Sequence, residues 1–162
     1  MRLIDDFYNQ HGVDVARSLL GKKLIWENFE GIITETEAYR GYDDEASHAF
    51  RGKTKRSEIM FGPAGYAYVY MIYGMYYCFN IVTEEAGQAS AVLIRGLKLP
   101  DTNLNGPGKL CKYLGINKIH NGVNLIKSEN MYLTNGLEVK NYFTSSRIGI
   151  KKATDKLWRF YI

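Results

Sequence analysis

The run GYAYVYMIYGMYYCFN, Gly65 to Asn80, limits what this chain can fold into more than any other segment. Tyr66, Tyr68 and Tyr70 alternate with Ala67, Val69 and Met71, which predicts a strand over Tyr66 to Tyr73 with three tyrosines on one face. Gly74 interrupts the run and YYCFNIVT resumes it, so the segment reads as strand, tip, strand. Six of the 13 tyrosines, at 66, 68, 70, 73, 76 and 77, fall inside it. Tyrosine is a flat apolar plate with a polar tip that needs a partner when buried. So many plates on a chain of net charge +4 and pI near 8.9 point to a flat, anionic ligand. Nucleic acid offers both a π-face on every base and phosphates for the basic groups.

Around this run the chain reads as one mixed α+β domain, residues 1–162, built on an antiparallel sheet. Val13, Ala16, Leu19 and Leu20 mark one face of a helix that Gly21 stops. KKLIWE and GIITETEAY predict a hairpin joined by Asn28 to Glu30, and DDEASHAF a short helical turn. RGKTKRSE is a basic loop, and SAVLIRGL is a strand after the turn EEAGQ. GPGKLCKYLG predicts a helix with Pro107 in its first turn and Gly115 at its end. MYLT, RIGI and WRFYI complete the set as short strands. Cys78 and Cys111 lie among apolar residues and are expected to be buried free thiols. No clustered Cys/His spacing calls for a metal. With early acids and no apolar leader at the N-terminus, and no run of membrane-spanning length, a reducing, cytoplasmic setting is expected.

The chemistry-bearing candidates fall in a few places. In TETEAY an extended backbone puts Glu35, Glu37 and Tyr39 on one face, a carboxylate beside a plate. Taken alone, a solvated acidic strand face is the simpler explanation of that pattern. His48 in DDEASHAF and Arg95 ending AVLIR have ordinary structural readings, a packed histidine and a cation at a sheet edge. Asn80 inside CFNIV is a stronger candidate, because an amide in so apolar a strand needs hydrogen-bond partners. Arg51, Lys53, Lys55 and Arg56 suit phosphate contacts, and Tyr73 at a hairpin tip is presented outward, where it would serve as a wedge in a base stack.

Taken in order, ETEAY, DDEASHAFRG, MFGPAGYAYVYMIYGMYYCFN, VLIRGL, GPGKLCKYLGI, RIGI and WRFY resemble the alkyladenine (methylpurine) DNA glycosylase family of base-excision repair. The resemblance runs from about Val13 to the last residue. It implies one compact α+β domain with a curved antiparallel sheet, flanking helices and a protruding hairpin that enters DNA. It also implies double-stranded DNA bearing a damaged purine as partner, a monomeric enzyme, and no cofactor or metal. By the same resemblance Glu37 is the general base that activates water. Tyr39, His48 and Tyr70 wall the pocket for the extruded base. Asn80 crowds the exocyclic amino group of guanine, and Tyr73 fills the gap left in the duplex. Arg95 and the backbone carbonyl of Ile148 help to hold the water. Thr54, Lys55, Arg56 and Ser57 stand where relatives commonly carry TPRN, and the connections after Gly96 and Lys118 are short, as in a minimal version of the domain.

Two other readings use the same residues. A tyrosine-rich module that grips single strands without chemistry would not need Glu37, Arg95 and Asn80 in this order. A carbohydrate hydrolase using Glu35 and Glu37 would need its carboxylates across a cleft rather than side by side on one strand.

Overall fold

The computed structural model describes residues 1–162. Its nine strands are β1 (Lys23–Trp26), β2 (Phe29–Tyr39), β3 (Ala67–Ile72), β4 (Tyr76–Thr83), β5 (Ser90–Lys98), β6 (Asn103–Asn105), β7 (Met131–Thr134), β8 (Phe143–Ser145) and β9 (Arg159–Tyr161). They form one curled antiparallel sheet with the central order β3-β4-β5-β2-β1-β7. Off that path, β6 pairs with β5, and β9 pairs with both β2 and β8. Three helices accompany it: α1 (Asp5–Tyr8), α2 (Gly12–Leu19) and α3 (Pro107–Leu114). No helix is long and apolar enough to cross a membrane.

One face of the sheet is covered by α2 and α3. Val13, Ala16 and Leu19 from α2 and Leu110, Cys111 and Leu114 from α3 meet Ile33, Ala38, Phe79, Ile81, Val92 and Ile94 in the main core. Each valine, leucine, isoleucine or phenylalanine among them contributes about 1.5–3 kcal/mol on leaving water. The Thr36 hydroxyl, on that same face, donates to the Ala16 carbonyl at 2.8 Å and ties β2 to α2. The other face carries a small cluster of Ala49, Met60, Tyr68, Val82, Ala89 and Ala91, with Tyr66 and Tyr70 packed against it.

A bulge decides which β2 side chains reach that second face. Ile33 lies in the core, and so do Thr36 and Ala38, so the in–out alternation changes parity between them. The register against β5 shifts on both sides of Glu35. Gly96 lies opposite, and a Cβ there would sit 2.5 Å from Thr34 Oγ1 and 3.1 Å from Glu35 Cβ. Only glycine admits the bulged strand that closely. Beyond the bulge, Glu37 and Tyr39 leave the core face.

Several elements differ from the sequence expectation. The β1–β2 connection is the two-residue turn Glu27-Asn28, with Trp26 paired to Phe29, so β2 starts earlier than the glycine suggested. DDEASHAF forms turns and no helix. RIGI is not a strand: Ile148 and Gly149 form a turn with Gly149 at φ 76°. Within WRFYI only Arg159–Tyr161 pairs, and α1, β6 and β8 are too short for a periodic signal. Both cysteines are free and buried, as expected.

Candidate active site

Register aligns the site. Tyr68 pairs with Asn80, Asn80 with Leu93, Leu93 with Glu37, and Glu37 with Arg159, a single row across β3, β4, β5, β2 and β9. Side chains directly opposite one another share a face. Neighbouring rows add Tyr70 opposite Cys78 and Tyr39 opposite Ala91. Over these rows opens a cavity of about 360 Å³, walled by Tyr39, His48, Tyr68, Tyr70, Asn80 and Arg95, with Ile148 and Gly149 on one rim and Tyr73 and Pro107 among its outer residues.

Glu37 lies beneath this cavity with no solvent exposure. Its Oε1 accepts from the Tyr39 hydroxyl at 2.8 Å, and its Oε2 accepts from the Ile148 amide at 2.6 Å. Arg95 Nη1 stands 3.7 Å from Oε1, while its Nε donates to Glu35 at 3.2 Å. Arg159 Nε also donates to Glu35, at 2.7 Å. Burial pushes the Glu37 carboxyl above its ordinary 4.5, and Arg95, the Ile148 amide, Tyr39 and Arg147 pull it back. The net shift is upward. Glu35 and Glu37 are therefore held side by side by cations, not across a cleft.

The aromatic walls form one packed group. His48 meets Tyr70 edge-on at 4.4 Å between centroids, and Tyr68 and Tyr70 lie 5.2 Å apart. His48 Nδ1 is 3.2 Å from the Tyr68 hydroxyl. Desolvation of the ring, then the nearby Arg56, lowers its pKa, an effect limited by the exposure of the residue; it favours neutral imidazole near pH 7. Burial raises the hydroxyl pKa of Tyr39, Tyr68 and Tyr70, so each stays a donor. Asn80 is buried, and its Nδ2 donates to the Tyr68 carbonyl at 3.1 Å.

The β3–β4 hairpin ends in Tyr73-Gly74-Met75. Tyr73 has φ 52° and Gly74 φ 70°. Glycine takes that left-handed region freely, whereas a bulky residue there stores strain on the order of 1–3 kcal/mol. Tyr73 is 86% exposed, more than any other tyrosine, phenylalanine or tryptophan of the molecule. Arg51, Lys53 and Lys55 are exposed on the loop beside the cavity. Arg56 is different: its guanidinium lies 5.2 Å from the Tyr70 ring centroid and donates to the Met71 carbonyl at 3.0 Å. Thr54 and Ser57 close the loop with reciprocal bonds, each backbone amide donating to the other's hydroxyl at 3.0 and 3.2 Å.

Every cavity residue singled out in the sequence gathers here: Glu37, Tyr39, His48, Tyr70, Asn80, Arg95 and Ile148. Ile148 differs in how it takes part, since the bond it makes is from its amide to Glu37. Sequence reasoning missed Asp44 and Arg147, a buried pair behind Tyr39 with Nη1–Oδ2 at 2.6 Å. Arg147 opens RIGI and Asp44 stands two positions before ASHA, but no local pattern pairs them.

Known proteins resemble this chain over nearly its whole length. The methylpurine-DNA glycosylase family model matches residues 6–162. An Ehrlichia ruminantium protein named "Putative 3-methyladenine DNA glycosylase" is 52% identical over 96% of this chain and 86% of its own length. The same name is borne by a Rickettsia felis protein, 55% identical over 91% of this chain and 85% of its own length.

Proposed function

The chain belongs to the methylpurine-DNA glycosylase family and is a DNA glycosylase, a hydrolase of N-glycosyl bonds, and from that premise we propose that it releases N3- and N7-alkylated purines from duplex DNA by Glu37-directed attack of water. The observation that carries the reading is a buried carboxylate, held on both oxygens, beneath a cavity walled by aromatic rings. A base inside a duplex is out of reach, so the nucleotide rotates out, which costs on the order of a few kcal/mol. The exposed, strained Tyr73 would occupy the vacated space. Stacking on Tyr39 and Tyr70 would return about 1–3 kcal/mol per contact. Alkylation at N3 or N7 makes the purine cationic. That strengthens its attraction to electron-rich rings and weakens the glycosidic bond.

Glu37 would then orient and deprotonate a water for attack at C1′, its charge favouring the oxocarbenium character of the transition state. Arg95, and the backbone around Ile148, would keep the carboxylate ionised and the water in place. Asn80, on the same row as Glu37 with Leu93 between them, would crowd an exocyclic amino group of guanine. Arg51, Lys53, Lys55 and Arg56 would meet the phosphates, with Arg56 leaving the Tyr70 ring to do so. None of the residues lining the cavity is a lysine, which supports hydrolysis without a Schiff base. The protein would act as a monomer, in the cytoplasm.

The deciding experiment is release of free 3-methyladenine or 7-methylguanine from alkylated duplex DNA. Release is expected, with no borohydride-trapped protein–DNA adduct. Tight lesion binding without release would favour the non-catalytic binding module, and a trapped adduct would refute monofunctional hydrolysis.

The pH profile is a separate check. A base must be ionised, so kcat/KM should fall as pH drops through the Glu37 pKa. Burial places that acid limb above the ordinary carboxylate value of 4.5. A limb at or below that value would mean that another group is being titrated.

A further inference from the structure

Arg147 and Asp44 have fully buried side chains 103 positions apart in sequence. The guanidinium grips the carboxylate with both Nη atoms, Nη1 to Oδ2 at 2.6 Å and Nη2 to Oδ1 at 2.8 Å. Nη1 also donates to the Ala38 carbonyl at 2.8 Å, on the strand between Glu37 and Tyr39. Its central carbon lies over two rings, 4.6 Å from the Tyr39 centroid and 5.2 Å from that of Trp158. Asp44 in turn accepts the Arg40 amide at 3.0 Å and the Ala46 amide at 3.1 Å, and so anchors the loop that delivers His48. The residue after Arg147 is Ile148, whose amide holds Glu37.

Stability alone does not account for this pair. A buried ion pair is often no better than well-packed apolar residues of the same volume. What it adds is geometry: a planar fork fixes two chain segments in angle as well as distance. Tyr39 lines the cavity and Arg147 does not, so the cation backs the ring on its buried side. One group thus touches the strand, the stacking plate, the loop of His48 and, through the next peptide, the carboxylate.

We propose that the Arg147–Asp44 pair is a positioning device that sets the Glu37 carboxylate and the Tyr39 plate in one register. The proposal rests on the glycosylase reading above. Misplacing a reacting group by about 1 Å costs on the order of 10²-fold in rate. The pair therefore governs turnover more than lesion affinity. Arg147 also acts on Glu37 by charge. The groups facing that carboxylate are Tyr39 from β2, Arg95 from β5, Cys78 from β4, and Arg147 with the Ile148 amide. Loss of the Arg147 charge should push Glu37 further up.

The test compares Arg147→Lys, Asp44→Asn and the neutral double variant Asp44→Asn/Arg147→Gln with the native protein. Single-turnover release of 7-methylguanine, binding to a duplex with a non-hydrolysable lesion analogue, and the Glu37 carboxyl titration by NMR are measured on each. The expected result is folded protein, release slowed by about 10²-fold, and binding within a few-fold of native. In the double variant the Glu37 titration should move to higher pH. Native-rate release, an unmoved Glu37 titration in the double variant, or equal losses in rate and binding would overturn the proposal. If all three variants fail to fold, the pair is a folding element and the proposal also fails. If the native protein releases no purine, the glycosylase reading fails by itself, and the Glu37 titration still decides whether the pair sets that carboxylate.

Discussion

Glu37→Gln should slow base release by about 10²–10⁴-fold while leaving affinity for a lesion-bearing duplex close to native. The substitution suits the site unusually well. Glu37 accepts from two donors, the Tyr39 hydroxyl and the Ile148 amide. Glutamine has one acceptor oxygen and one NH2 group. The amide of Ile148 can only donate, so the oxygen must turn to it. The Tyr39 hydroxyl can rotate and accept from the NH2. The cavity walls keep their positions, and only the base is lost. Stability gives an independent readout. The folded pKa of Glu37 lies above its unfolded value, so its contribution is present at low pH and lost as pH rises through the folded pKa. Glutamine carries no charge and escapes that loss. Melting curves should therefore show the variant gaining on the native protein as pH rises above about 4.5. Retained base release in Glu37→Gln would sink the assignment of the base, whatever the melting curves show.

Gly96→Val should cost both stability and base release. Its Cβ would meet Thr34 Oγ1 at 2.5 Å, with Glu35 Cβ and N close behind. Overpacking of this kind costs about 1–3 kcal/mol. The functional loss should exceed what that figure implies, because relief requires β2 to slide or separate from β5 at the bulge. A one-residue slip in pairing sends every following side chain to the other face. Glu37 and Tyr39 would then turn toward α2, and Thr36 and Ala38 toward the cavity. Urea unfolding and base release measured together check the idea. A native midpoint with native release would show that the bulge does not depend on the missing side chain.

Much of the fold was legible because its signals are local. Period-two runs marked β3, β4 and β5, and Pro107 and Gly115 bracketed α3 at its observed ends. The tyrosine run separated as the alternation implied: Tyr68 and Tyr70 face the cavity, Tyr66 packs beside them, and Tyr73 stands free at the tip. The site residues came from motifs, whereas their geometry did not. Alternation alone places Glu35, Glu37 and Tyr39 together, but it cannot report the bulge that turns them away from the core. RIGI reads as a strand from its isoleucines. Its backbone instead spends the Ile148 amide on a carboxylate 111 positions away. Asp44 and Arg147 look like surface charges in sequence because nothing local marks a partner 103 positions distant.

That spacing has a consequence for how the protein comes into being. Chain elongation at about 5–20 residues per second separates the emergence of Glu37 from that of Ile148 by on the order of ten seconds. Arg159, which completes the bonding around Glu35, follows later still. Throughout that interval the strand holding the carboxylate exists without the amide and the two arginines that later fix it. A nascent chain can thus hold a nearly complete sheet and still lack a working centre. Competence should arrive in a single late step, when the segment from Arg147 to Tyr161 docks against β2.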